Sequence, residues 1–291
     1  KEHELKVIDV TYVSPRNVTQ LYLDEIEQDK SLEKVIEKQF IFGPTYSYTF
    51  ANTMQKRKKH TIYFKGELDL AGNLTGLITG ANAKAGDTIK FFDVPFSQYA
   101  KVTADFRHYL KLNEKSQLAS RFIAGAGFSY GNATEMPATK QYVIGGPNSI
   151  RAFRSQTLGP GSYIPPPDAT FLPDETGDIK LEFNTEYRAK LFSIVDGALF
   201  VDAGNIWLLN EDPEQPNAEF TKDFMKEIGV GVGAGLRLDF SFLIFRTDLA
   251  FPIRQPYPVN GDNWVIDGID FGSGSWRKDN LMLNIAIGYP F

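Results

Sequence analysis

Hydrophobic and polar positions alternate with a period of two along much of this chain. In "DIKLEFNTEYRAKLF", Leu181, Phe183, Tyr187, Ala189 and Leu191 share one parity. Lys180, Glu182, Asn184, Glu186, Arg188 and Lys190 share the other. Successive side chains of a strand point to opposite faces, so this segment predicts a strand with one apolar and one charged face. "EIGVGVGAGLRLDF" sets Ile228, Val230, Val232, Ala234, Leu236, Leu238 and Phe240 against Glu227, a glycine row over 229–235, Arg237 and Asp239. "QLASRFIAGAGFSY" and "FIFGPTYSYTF" repeat the pattern. "LMLNIAIGYPF" places Leu281, Leu283, Ile285, Ile287, Tyr289 and Phe291 opposite Met282, Asn284, Ala286, Gly288 and Pro290. Ten strands are predicted, near 4–13, 39–51, 60–71, 98–112, 116–130, 178–191, 194–208, 225–240, 242–252 and 280–291.

The predicted connections alternate in length. Long ones cover about 14–37, 72–97, 131–177, 209–224 and 253–279, and the short ones are "NTMQKRKKH", "NEKS", "SI" and "S". In a run of antiparallel neighbours this places every long loop at one end. Outer-membrane barrels are built that way, with tight periplasmic turns and long extracellular loops. The expected fold is therefore all-β, an antiparallel transmembrane β-barrel. A soluble β-sandwich alternates too, but it gives no reason for one-sided loop lengths.

Composition narrows the chemistry. The chain has 291 residues and a net charge of −5, which gives no support to a nucleic-acid partner. It has no cysteine, which excludes a disulfide framework and a thiolate metal site. His3, His60 and His108 are the only imidazoles and lie far apart in sequence, so no metal or cofactor is implied. No apolar run reaches the roughly 18 residues of a transmembrane helix. The first residues, "KEHELKVIDV", already read as strand, so the chain has the look of a mature piece or a fragment.

One segment does not fit the alternation. "GGPNSIRAFRSQTLGPGSY", residues 145–163, is bracketed by Gly and Pro and carries Arg151, Phe153 and Arg154 without an acid. It resembles the sixth extracellular loop of the BamA/TamA superfamily of outer-membrane assembly factors. That loop's hallmark is Val-Arg-Gly-Phe or Val-Arg-Gly-Tyr followed by a Gly-Pro turn. Here the motif reads Ile150-Arg151-Ala152-Phe153, followed by Gly159-Pro160-Gly161. Ala152 stands where glycine is usual, so its backbone should avoid positive φ. "LEFNTEYR" and "LFVDAGNIW" are similar to the strands after that loop. "NIAIGYPF" resembles the family's C-terminal signal, with Asn284, Gly288, Tyr289 and Phe291 as signal and seam residues. Within the superfamily, the loop together with "FFDVPFSQYAKVTADFRHY" looks TamA-like.

The resemblance carries further expectations. It implies a sixteen-stranded barrel, of which this chain would hold the ten C-terminal strands, residues 1–291, without POTRA domains or the first strands. Taken alone, the chain should form an incomplete wall. It implies a loop folded back into the lumen, with Arg151 meeting Glu182 and Asp202. The alternation independently puts both acids on inward faces, and a guanidinium inside a lumen needs fixed carboxylates. The glycine row at 229–235 would leave room for the returning loop. It also implies assembly, insertion or translocation of envelope components, working through a seam between the last and first strands. Outer-membrane lipid, client proteins or lipids and a TamB-like periplasmic partner are the implied partners. A two-partner secretion transporter and a passive porin-like channel are the alternatives. A barrel-fused lipase would need a lipase domain, which is not present.

No covalent chemistry is expected. No Gly-x-Ser-x-Gly elbow accompanies Asp202 and His108, and carboxylate pairs such as Glu182 and Glu186 read as lumen lining. Residues 18–39 predict a short amphipathic helix capping the barrel from an outer loop. "QKRKKH", 55–60, is a basic periplasmic turn facing water, anionic head groups or an acidic partner.

Overall fold

The computed structural model describes every residue except 29–35, 56–57, 166–174 and 241. The early part of the chain forms β1 Glu2–Val13, β2 Gln39–Ala51, β3 His60–Ala71, the short β4 Lys90–Phe91 and β5 Val94–Pro95, β6 Tyr99–Lys111 and β7 Ser116–Ser129. The later part forms β8 Ile179–Phe192, β9 Val195–Trp207, β10 Gly229–Asp239, β11 Ile244–Val259, the short β12 Asp262–Trp264 and β13 Met282–Ile287. The long strands make one antiparallel wall in the order β1-β2-β3-β6-β7-β8-β9-β10-β11-β13. Each long strand therefore lies beside its neighbour in sequence, which is the arrangement with the shortest connections. Turns at 52–59, 112–115, 193–194 and 240–243 join strands at one end, and the long loops join them at the other.

Burial is inverted relative to a water-soluble sheet. Phe183 is 44% exposed and Leu199 62%, whereas Glu186, Asp202 and Arg237 are 0% exposed. Apolar outer faces and charged inner faces are what a wall between lipid and a filled lumen requires. Among the described residues β1 pairs only with β2, and β13 only with β11, so the wall is an arc with two edges.

The long connections carry helices α1 Gln20–Gln28, α2 Asn73–Thr79 and α3 Gly274–Asn280. α1 falls inside the region predicted helical, and the rest of that prediction over 29–35 lies outside the described residues. Lys56 and Arg57 of the basic turn, and the one-residue turn at 241, also lie outside them.

Three strand boundaries differ from the alternation. β11 continues to Val259 and folds back on β12 through Asn260-Gly261, both at positive φ (55° and 90°), as a tight hairpin demands. Prolines at 252, 256 and 258 did not stop it. Proline removes a ladder donor, and strand edges and bulges tolerate that loss. β10 starts at Gly229 because Phe224–Glu227 forms a short 3-10 helix instead.

The largest correction concerns the C-terminus. Leu281 caps α3, β13 ends at Ile287, and Gly288 takes φ 85°. The strand was expected to run to Phe291 with Tyr289 and Phe291 on the lipid side. Instead the chain turns inward at Gly288. Tyr289 and Phe291 lie near the Arg188 guanidinium, with ring centroids 4.3 Å and 5.4 Å away. Phe291 and Pro290 are buried, and the Phe291 carbonyl accepts from Arg188 Nη2 at 3.3 Å. A left-handed glycine breaks the pleat, and a cation facing two rings gives the tail a reason to stay inside.

Candidate functional site: the lumenal loop and its ion network

The loop between β7 and β8 enters the lumen beside β8–β11. Its course depends on residues that have no side chain to offer. A Cβ at Gly231 would collide with that of Ala152, and one at Gly229 would press on Leu158 and Phe153. Both glycines face inward from β10, so the wall presents bare backbone where the loop packs. Gly125 on β7 makes the same space for Tyr142, whose hydroxyl donates to the Val102 carbonyl at 2.8 Å. Burial pushes that hydroxyl up to about 12. Tyr142, Ile144, Ile150, Ala152, Phe153 and Leu158 close the loop's apolar core against Phe200, Ile206 and Ala250 of the wall. Arg154 remains exposed.

The far end of the loop is fixed by polar bonds. Gly159 and Gly161 adopt φ 77° and 54°. Asn205 Nδ2 donates to the Gly161 carbonyl at 2.8 Å, and Gly161 N–H donates to Ile206 O at 2.8 Å. Pro160 between them is buried.

Arg151 is 0% exposed. Its Nε donates to Asp202 Oδ2 at 2.8 Å and its Nη2 to Asp202 Oδ1 at 3.0 Å, a two-pronged contact. Its backbone N–H also donates to Asp202 Oδ2, at 3.1 Å. Nη1 bonds Glu186, and the guanidinium carbon lies 3.4 Å from the centroid of the Phe200 ring. Burial disfavours this charge. The hydrogen bonds and charges of Asp202 and Glu186 outweigh it and hold the Arg151 pKa above its ordinary value. Planar, delocalised guanidinium suits this two-acid seat better than an ammonium would.

Glu182, expected as the second partner, does not contact Arg151. It accepts from Ser149 Oγ at 2.7 Å and pairs with Lys180 at 2.8 Å. Register explains the exchange. Asn184 stands opposite Asp202, with Glu182 opposite Gly204 and Glu186 opposite Phe200. The Arg151 side chain points along the wall toward Glu186 and away from Glu182. Glu186 also accepts from Arg188 Nε (2.7 Å) and Arg237 Nη2 (2.9 Å), and Arg237 pairs with Asp248. The motif is thus one node of an inner-face network spanning β8–β11.

Two further contacts tie the loop to β11 and β13. Arg246 of β11 donates to Asn148 Oδ1 at 2.7 Å. Asn284 of β13 faces inward as expected and donates to the Arg151 carbonyl at 2.9 Å. Glu186, Arg237, Asp248 and Phe200 were missed as site residues. All four sit on the inward parity of their strands, which was the signal available for them.

These features define a class: an outer-membrane β-barrel wall whose lumen is braced by a loop anchored on a buried arginine. The chain belongs to the Omp85 superfamily, whose domain matches residues 78–275, more than half of it. Its fold is similar to that of BamA from Haemophilus ducreyi lacking POTRA domains 1-3, with a TM-score of 0.53 and 17% identity over 87% of this chain and 44% of that one. It is also similar to CdiB from Escherichia coli, with a TM-score of 0.50 and 15% identity over 78% of this chain and 35% of that one. The chain thus spans less than half the length of either structure, and at such identities the likeness is one of fold.

Proposed function

We propose that this wall belongs to a factor that inserts proteins into the outer membrane, working through its strand edges. β13 is six residues long and among the described residues pairs only with β11, so its other edge is where a further strand would add. Such an edge accepts a further strand by backbone hydrogen bonding, which is how an incoming client strand would be templated. The observation that carries this reading is the bond from Asn284 to the Arg151 carbonyl. It holds the edge strand in place from inside while leaving its edge free. By the sequence resemblance the branch is TamA-like and the periplasmic partner TamB-like.

A passive pore fits poorly, because the loop folds into the lumen and packs along the glycine row of β10. A secretion transporter for one protein is the competing reading, supported by the resemblance of the loop rather than by a separate contact. Photocrosslinkers placed in the full-length protein separate the two. Labels at Leu283 or Ile285 on β13 should capture a model barrel client during its assembly, and a label at Leu236 in the middle of the wall should not. Capture only from a lumenal position such as Arg121 would replace insertion by secretion.

A further inference from the structure

A cavity of about 550 Å³ opens at the periplasmic mouth of the lumen, lined by described residues of the turns at 52–59, 112–115 and 193–194 and by the strand ends beside them. Its lining includes Lys58, Lys59, Lys111, Lys115, Arg188 and Lys190. Glu114, Asp196 and Asp239 are the acids among the lining residues, so cations outnumber them two to one. Among the described residues none of the five lysine ammonium groups has a carboxylate or hydrogen-bond partner, whereas Arg188 is already paired with Glu186. The backbone gathers these lysines. Lys111 N–H donates to the Lys59 carbonyl and Lys190 N–H to the Lys115 carbonyl, each at 2.8 Å, stitching neighbouring strand ends together.

We infer that this vestibule receives an acidic, unfolded segment of a periplasmic protein. Like charges held together in excess of their counter-charge repel one another, and an anionic occupant relieves that repulsion. The direction of the charge favours a peptide over the bilayer. Lys111 and Lys190 continue the inward parity of Arg107, Tyr109 and Arg188 along their strands. At the same level the outward parity offers Leu110 and Leu191, which suit acyl chains. Lipid head groups outside the wall therefore face apolar side chains, and the ammonium groups face the lumen. Arg188 and Tyr289, stacked on each other, form the part of the lining that adjoins the ion network. An entering segment would stop there, so the mouth acts as a docking vestibule and not as the start of a channel. The inference rests on the proposed function only for the origin of the segment, a client or partner awaiting assembly.

The test uses the full chain in lipid nanodiscs and a dye-labelled peptide of alternating Asp and Thr, with a Lys and Thr peptide as control. The acidic peptide should bind at low salt, weaken as salt rises, and be about tenfold weaker for the Lys111→Gln/Lys115→Gln/Lys190→Gln variant. Lys84→Gln/Lys90→Gln, on the opposite end, should bind as the parent does. Equal binding of both peptides, or no loss in the triple variant, overturns the inference. So does a triple variant that loses only its association with phosphatidylglycerol vesicles, which would make the lysines a lipid contact. Peptide binding is read without client assembly. Binding that persists when edge crosslinking fails therefore counts against the proposed function and leaves the vestibule standing.

Discussion

β1 and β8 are strands of one sheet, 12 and 14 residues long, and they live in different environments. The charged residues of β1, Glu2, Glu4, Lys6 and Asp9, are all exposed. On β8, Glu182, Glu186 and Arg188 are buried and paired. Both strands satisfy their backbone by antiparallel pairing, β1 along one side and β8 along both. What distinguishes them is the loop. Where residues 145–163 lie against the wall, charges are taken out of water and must find partners. On β1 the charges stay in water. Pairing builds the wall, and the loop turns one part of it into an interior.

The comparison breaks most sharply at Arg151. Arg151→Ala leaves Asp202 and Glu186 buried without their shared cation, and should cost roughly 3–5 kcal/mol in thermal or denaturant unfolding of the barrel. Arg154→Ala, on the exposed side of the loop, should stay within about 0.5 kcal/mol. Similar losses from both would mean that the buried seat has no special weight. Arg151→Lys should recover little, since an ammonium cannot span the two Asp202 oxygens.

A double-mutant cycle sharpens the same point. Arg151 and Asp202 should show a coupling of about 2 kcal/mol, while Arg151 and Glu182 should show under about 0.5 kcal/mol. The reverse ranking would restore Glu182 as the partner. Gly231→Val comes next. It should push Ala152 off the wall at about 1–3 kcal/mol and open the loop to cleavage after Arg154 in limited proteolysis. Gly66→Ala on β3 is the matched control, with only the Phe64 ring edge near the added carbon. Asn284→Ala removes one hydrogen bond to the loop. It should cost about 1 kcal/mol and speed amide exchange over 149–153 without melting the wall. Glu4→Gln on β1 should be the smallest change, within about 0.5 kcal/mol, because that side chain is exposed.

Parity along the strands was enough to find the wall, its order and its inner face. It also put Asp202 on the inner face, where the family resemblance paired it with Arg151. It could not choose between Glu182 and Glu186, which share a strand and a face four residues apart. That choice depends on how deep the loop sits, which is fixed by the cross-strand register and by Gly231, features of three strands at once. The tail failed for a different reason. Parity continues through "IGYPF" on paper, but Gly288 can adopt a left-handed turn that no other residue takes readily, and Pro290 cannot donate to a ladder. Both residues were signs of an ending. The β11–β12 hairpin carried an Asn260-Gly261 sign of the same kind.

The bare stretch of β10 has a consequence for the order of events as the chain folds. Residues 145–163 precede β8, β9, β10 and β11 in the sequence, so the strands that form the Arg151 seat and the glycine row are made after them. The loop has no surface to settle on until β10 has joined the wall. Contacts across such sequence distances are slow to form, because the intervening chain must first be confined. Seating Arg151 is then a late, consolidating step that follows completion of its wall. In refolding, the loop should become protected from protease after the strands have formed, so that its protection reports a finished wall.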